Sequence, residues 1–139
     1  KALGSAQAIA SAVRRGARDA RTWLGGDGIV DELGDGSAVL RPAVFQVDAA
    51  TAPQTGLEFG FPCVWLAPWA PADGVEPLRN SLALTAITDD EDLMDAIVRE
   101  PTIGNVYVGD HPTHWFRPGI PHDGYLAEFL MRTKTIIRA

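Results

Sequence analysis

The sequence holds a single cysteine among its 139 residues, Cys63. That scarcity excludes an internal disulfide and points to a reducing, cytoplasmic setting. No apolar run is long enough to span a bilayer, and no stretch has the charged start and apolar centre of a secretory signal, so no membrane role is expected. A basic patch is also missing. With 18 acidic against 12 basic residues the net charge is −6, the wrong sign for a nucleic-acid backbone or an anionic lipid surface. Arg14, Arg15, Arg18 and Arg21 are close in sequence, but their spacing suits the solvated side of one helix. No methionine precedes Lys1, and the chain is expected to be cut or processed from a longer polypeptide. What is present is the 46% hydrophobic composition of a globular domain.

The chain is organised around residues 56–67, where one carboxylate, Glu58, and two rings, Phe59 and Phe61, precede the apolar run Cys63-Val64-Trp65-Leu66-Ala67. The run reads as a buried strand. Loops at strand ends approach ligands while the sheet stays rigid, which makes Glu58 the first functional candidate. Cys63 sits inside the run, between Pro62 and Val64. A nucleophilic thiol needs a polarising neighbour and access to substrate, so Cys63 reads as a packed core thiol.

Ala6, Ile9, Ala10, Val13, Ala17 and Ala20 recur at helical spacing and predict an amphipathic helix from about Ser5 to Trp23, stopped by Gly25-Gly26. Asp27, Asp31, Glu32 and Asp35 lack the ordered positions of a calcium loop and read as solvated turns, with a short strand possible at Ile29-Val30. Ala38–Leu40 and Ala43–Val47 are strand-like, separated by Pro42. A short helix is expected over Val75–Asn80 and a second buried strand over Leu82–Ile87. Thr88-Asp89-Asp90-Glu91 has the form of a capping box, and Leu93, Met94, Ile97 and Val98 give the following helix an apolar stripe closed by Pro101. Asn105–Val108 is the next strand. Strands alternating with helices at these spacings imply an α/β fold with a parallel open sheet and flanking helices.

All three histidines, His111, His114 and His122, lie in the segment that follows, together with Asp110, Asp123, Trp115 and Phe116. Concentrated polar and aromatic groups on a loop at a strand end suggest a binding wall. A metal site from His111, His114, His122 and Asp123 would require paired presentation that Pro112 prevents, so lining a pocket or a purely structural loop are the readings preferred over metal. Residues 125–132 are expected to form a short helix, and Lys134 to Arg138 a terminal strand that needs a partner, such as a neighbouring subunit.

In this order the motifs resemble the C-terminal part of the aldehyde dehydrogenase superfamily. The segment Glu58-Phe59-Gly60-Phe61-Pro62 is similar to the family's Glu-x-Phe-Gly-Pro element, with Gly60 and Phe61 in swapped order. Gly104-Asn105-Val106-Tyr107-Val108-Gly109 is similar to Gly-x-Val-x-Val-Asn, and Pro121-His122-Asp123-Gly124-Tyr125 to Pro-Phe-Gly-Gly. The resemblance implies that Glu58 holds the ribose hydroxyls on the nicotinamide side of NAD or NADP, a task suited to a carboxylate that accepts two hydrogen bonds. It gives Phe59 or Phe61 a place against the nicotinamide, with Phe61 the named candidate, and makes His111, His114, Trp115 and Phe116 lining of the route taken by a small-molecule aldehyde with an apolar or aromatic body. The form of the tail resembles the phenylacetate-degradation branch. Lys134 to Arg138 would join a homo-oligomer.

The family's reaction needs a thiolate, a hydride acceptor on a Rossmann domain and a glutamate base. Its cysteine lies far enough ahead of the Glu-x-Phe-Gly-Pro element to fall before Lys1, and Cys63 does not replace it. The expectation is therefore a C-terminal fragment, residues 1–124 from the catalytic domain and 125–139 from the oligomerisation tail, with no catalytic residue of its own and inactive alone. The alternative is a self-contained, non-catalytic α/β binding or assembly domain, and a third reading is a small metal-dependent hydrolase built on the histidine loop.

Overall fold

Apolar residues at helical spacing build the first element of the computed structural model, helix α1 (Leu3–Gly16), which buries Ala6, Ala10 and Val13 and carries Arg14 and Arg15 in its last turn, where the helix dipole favours cations. The structure describes residues 1–114, and the chain divides into two compact units, Lys1–Ala70 and Pro71–Ala139.

In the first unit α1 ends seven residues earlier than the expected Trp23. Leu57 closes on its last residue, so that a Cβ on Gly16 would meet Leu57 Cδ1 at 3.0 Å. Residues Arg21–Leu24 instead form strand β1, whose Thr22 and Trp23 favour extended backbone. Strands β2 (Val30–Glu32) and β3 (Ala38–Leu40) form an antiparallel hairpin. Strands β4 (Ala43–Gln46) and β5 (Cys63–Leu66) complete a three-stranded sheet of order β1-β4-β5, with β4 antiparallel to β1 and parallel to β5. Ala10, Val13, Ile29, Ala43 and Phe45 make the core, and Phe59, Phe61, Cys63 and Trp65 pack around it. Phe45 and Trp65 lie 5.1 Å apart between ring centroids. Gly25 permits this closure, because its φ of +81° favours glycine and a Cβ there would lie 2.9 Å from both Ala43 Cβ and Ile29 Cγ2.

The run at β5 is not buried throughout. Cys63 and Trp65 are half-buried, while Val64 and Leu66 are 49% and 43% exposed. Successive side chains leave a strand on opposite faces, and α1 covers only one of them. Three of the four acidic residues of the 27–36 segment have protein partners: Asp31 accepts from Arg41 Nε at 2.6 Å, Asp35 accepts from the Ser37 amide and hydroxyl, and Asp27 lies 3.8 Å from Arg14.

The second unit contains strand β6 (Ala83–Ala86), helix α2 (Glu91–Arg99) and strand β7 (Asn105–Val108), with β6 and β7 paired in parallel across the helix. The cap differs from the expected Thr-x-x-Glu box. Asp90 is the N-cap and accepts from the Leu93 amide at 3.0 Å, while Thr88 accepts from the Asp90 amide at 3.1 Å. Aspartate two residues closer to the helix outcompetes the threonine for the unpaired amides, and Glu91 and Asp92 add charge the dipole favours. Ala86, Ile97 and Ile103 form the core, with Leu84, Leu93, Met94 and Val106 packed around it. Val98 lies off the expected stripe, 68% exposed. The helix expected over 75–80 shortens to a single 3-10 turn, Glu76–Leu78. Of the expected second buried strand only Ala86 is buried; Ala83, Leu84 and Thr85 are half-buried.

The α/β class therefore holds, with parallel sheet elements and flanking helices, and the strands fall into three small sheets among the described residues. No helix among the described residues is long and apolar enough to cross a membrane. The expected boundary at 124/125, the helix at 125–132 and the strand from Lys134 to Arg138 lie outside the described residues.

Candidate functional site

Two segments carry the residues singled out from the sequence, one in each unit. In the first, residues 57–62 run as irregular chain into β5. Leu57 and Phe59 reach the last residue of α1, and the indole Nε1 of Trp65 donates to the Leu57 carbonyl at 3.1 Å. The Phe61 amide donates to the Phe59 carbonyl at 2.7 Å around Gly60, and the Ala43 amide donates to the Pro62 carbonyl at 3.0 Å. The rings of Phe59 and Phe61, 6.3 Å apart, both pack against the core. Odd-numbered side chains thus pin the segment, and Glu58 between them is exposed, with no hydrogen bond or ion pair among the described residues. Both of its oxygens are free to accept from the two hydroxyls of a ribose diol, and the half-buried Phe61 ring is three residues away in sequence.

The sheet itself does not place Glu58 at a ligand-binding edge. Open α/β sheets bind at the carboxyl ends of their strands, whereas Glu58 precedes β5 at its amino end. Glu58 stands as a candidate on its exposure and on its motif, not on the strand-end argument.

Cys63 is half-buried, and burial pushes its thiol up. That is the wrong direction for a nucleophile and agrees with a packed thiol.

In the second unit, β7 delivers the chain to Gly109, whose φ of +92° is in the left-handed region. Asparagine is the residue besides glycine best suited to positive φ, so Gly109 in place of the motif's Asn is compatible with the same backbone path. The Gly109 amide donates to the Ala86 carbonyl at 2.9 Å, the His111 amide to the Gly109 carbonyl at 2.9 Å, and the Thr85 hydroxyl to the His111 carbonyl at 2.7 Å. His111 and His114 are exposed and follow the carboxyl end of a parallel strand pair, the edge where such sheets hold ligands. Trp115 and Phe116 lie outside the described residues. Thr85 escaped the sequence reading; its only signal was a hydroxyl in an otherwise apolar strand.

At the same end of this unit Thr88, Asp89, Glu91, Met94 and Asp95 line an open cleft of about 440 Å³. A smaller one in the first unit, about 160 Å³, is lined by Val13, Arg14, Thr22, Asp27 and Phe45 among others. Neither contains Glu58, Phe61, His111 or His114, so cleft shape and motif chemistry point to different places, and the chemistry is the better guide because each cleft is open and small for a dinucleotide. Among the described residues no three or more His, Cys, Asp or Glu side chains are grouped to hold a metal ion. His122 and Asp123 lie outside them.

No family model and no curated protein matches the sequence. Solved structures do. Proline utilization A of Bradyrhizobium japonicum matches with a TM-score of 0.56 and 20% identity, over 76% of this chain and 11% of that one. A 3,6-anhydro-L-galactose dehydrogenase in complex with NAP matches with a TM-score of 0.54 and 18% identity, over 79% and 25%. Betaine aldehyde dehydrogenase of Staphylococcus aureus matches with 0.52 and 17%, over 79% and 23%. The chain spans a quarter or less of the length of these proteins. Over the matched residues its fold is that of one part of each of these three proteins.

Proposed function

We propose that the chain is the C-terminal part of an NAD(P)-dependent aldehyde dehydrogenase-type oxidoreductase acting on an apolar or aromatic aldehyde, and that it does not turn over alone. The observation that supports this reading most is the shared fold, which takes up 76–79% of this chain but only 11–25% of each neighbour. Glu58 accepts the ribose hydroxyls on the nicotinamide side, and Phe61 offers the nicotinamide an apolar edge. The bound nucleotide supplies the hydride acceptor. His111, His114, Trp115 and Phe116 line the aldehyde's route, and the two large rings favour an aromatic substrate body, including the phenylacetate type. Cys63 is no nucleophile, so the attacking thiolate comes from elsewhere in the parent polypeptide. Lys134 to Arg138 pairs with a second copy, and the enzyme works in the cytoplasm.

The test compares the protein encoded by the complete reading frame that contains this chain with the 139-residue chain alone, using phenylacetaldehyde and either NAD or NADP as probes. Aldehyde-dependent nucleotide reduction by the complete protein and none by the chain is the expected result. Turnover by the chain alone would overturn it. Tight nucleotide binding by the chain, with no turnover by the complete protein, would establish the binding-domain reading in its place.

A further inference from the structure

The βαβ unit carries a hydroxyl whose position has consequences for the histidine loop. Along β6, Leu84 and Ala86 turn toward the cluster that contains Ile97 of α2. Alternation along a strand then places Thr85 on the opposite face, the one this helix does not cover. From there its hydroxyl donates to the carbonyl of His111 at 2.7 Å, across 26 residues of sequence. Two backbone bonds fix the chain between, Gly109 to Ala86 and His111 to Gly109, each at 2.9 Å. Gly109 and His111 are thus tied to β6 and to each other, and the Thr85 bond comes from a side chain.

We propose that Thr85 is a positioning residue, whose hydroxyl fixes His111 as a wall of the aldehyde site and so sets substrate affinity without touching substrate. The proposal rests on the reading of the histidine loop as that wall. Valine at this position keeps the branched shape and the strand preference but removes the Thr85 donor to the His111 carbonyl; serine keeps the donor and drops a methyl group.

The experiment uses the complete protein with phenylacetaldehyde as probe, in Thr85→Val and Thr85→Ser variants, and adds amide hydrogen exchange at Gly109 and His111. In Thr85→Val the KM for phenylacetaldehyde and the exchange rates rise about 3- to 10-fold, the range of one neutral hydrogen bond, while the nucleotide KM is unchanged; Thr85→Ser returns both to within about twofold. Unchanged exchange in Thr85→Val overturns the clamp itself. Faster exchange with an unchanged aldehyde KM, or an equal rise in the nucleotide KM, overturns the role in substrate positioning. Absence of any aldehyde turnover in the unmodified protein removes the functional reading and this role with it, while exchange still reports the bond, so the two failures are told apart.

Discussion

The unit Lys1–Ala70 closes over Phe45, Ile29 and Val13, three large side chains with almost no exposure, whereas the unit beginning at Pro71 closes over the smaller cluster Ala86, Ile97 and Ile103, and both carry polar ties at their edges. The candidate segments differ in how they are held. Glu58 is held out mainly between apolar pins, Leu57 and Phe59 on the end of α1 and Phe61 on the core, with the Trp65 indole bonded to the Leu57 carbonyl beside them. His111 is held by hydrogen bonds from Thr85 and from its own turn. Apolar pins fix a segment through shape and respond to volume; hydrogen bonds fix it through donors and respond to single atoms and, where charged, to pH.

The largest effect should come from emptying the larger core. Phe45→Ala is expected to destabilise the first unit by about 3–5 kcal/mol and Ile97→Ala the second by about 2–5, as for other large-to-small core changes. Three of the four tryptophans, Trp23, Trp65 and Trp69, lie in the first unit and Trp115 in the second, so amide exchange in β4 and β5 reads the Phe45 variant and exchange in β6 and β7 reads the other. A cheaper Phe45 than Ile97 substitution would break the comparison, because it would show that the first unit does not depend on its buried ring.

Next in size is Glu58→Gln in the complete protein. An amide keeps one acceptor where the carboxylate has two charged oxygens, so the nucleotide KM should rise about tenfold, the value of a charged hydrogen bond made neutral, with the core intact. A change in aldehyde KM alone would move Glu58 from the nucleotide to the substrate side.

Much of this was legible in the sequence where local chemistry and tertiary context agree. The strands at Ala38–Leu40 and Asn105–Val108 and the start of α2 behind its acidic residues follow from alternation, β-branched residues and dipole preference. The end of α1 was not legible. Ala17 and Ala20 continue the helical period, but Leu57, forty-odd residues on, closes on Gly16, and pairing with β4 takes Arg21–Leu24 into a sheet. Local pattern carries no record of a partner that distant. For the site, the types of residue around Glu58 and His111 were visible as motifs, and the position of Glu58 ahead of the predicted strand already put it at that strand's amino end, while the bond from Thr85 depends on cross-strand register, which composition does not encode.

A third test works through pH. Hydrogen bonds from Arg79 and Thr102 hold the Glu100 carboxyl below its usual range, and Glu76 joins the same guanidinium. A carboxylate lowered in the folded state stabilises fully above the ordinary carboxylate range, and the contribution is lost as pH falls through the lowered value. Acid should therefore loosen the turn that joins residues 79–80 to 100–102, and Glu100→Gln should flatten that part of the profile. In the first unit Asp35, lowered by Ser37, follows the same sign. Amide exchange across the acid range checks both, and an unchanged profile in Glu100→Gln would mean that the polar tie adds nothing beyond the apolar core.

The smallest effect concerns Cys63. Its thiol packs beside Phe45 and Ala43 on the covered face of β5, and burial raises it above the ordinary range, so the thiolate fraction at neutral pH is below that of a free cysteine. Cys63→Ser places a more strongly solvated group on that face and should cost about 1 kcal/mol, within the range of ordinary substitutions, while aldehyde turnover of the complete protein is unchanged. Alkylation of the native thiol by iodoacetamide should be slower than that of free cysteine and should speed up only as the pH rises. Rapid labelling at neutral pH, with loss of turnover in Cys63→Ser, would make this residue the nucleophile after all, and the covered face of β5 would then have to open for substrate to reach it.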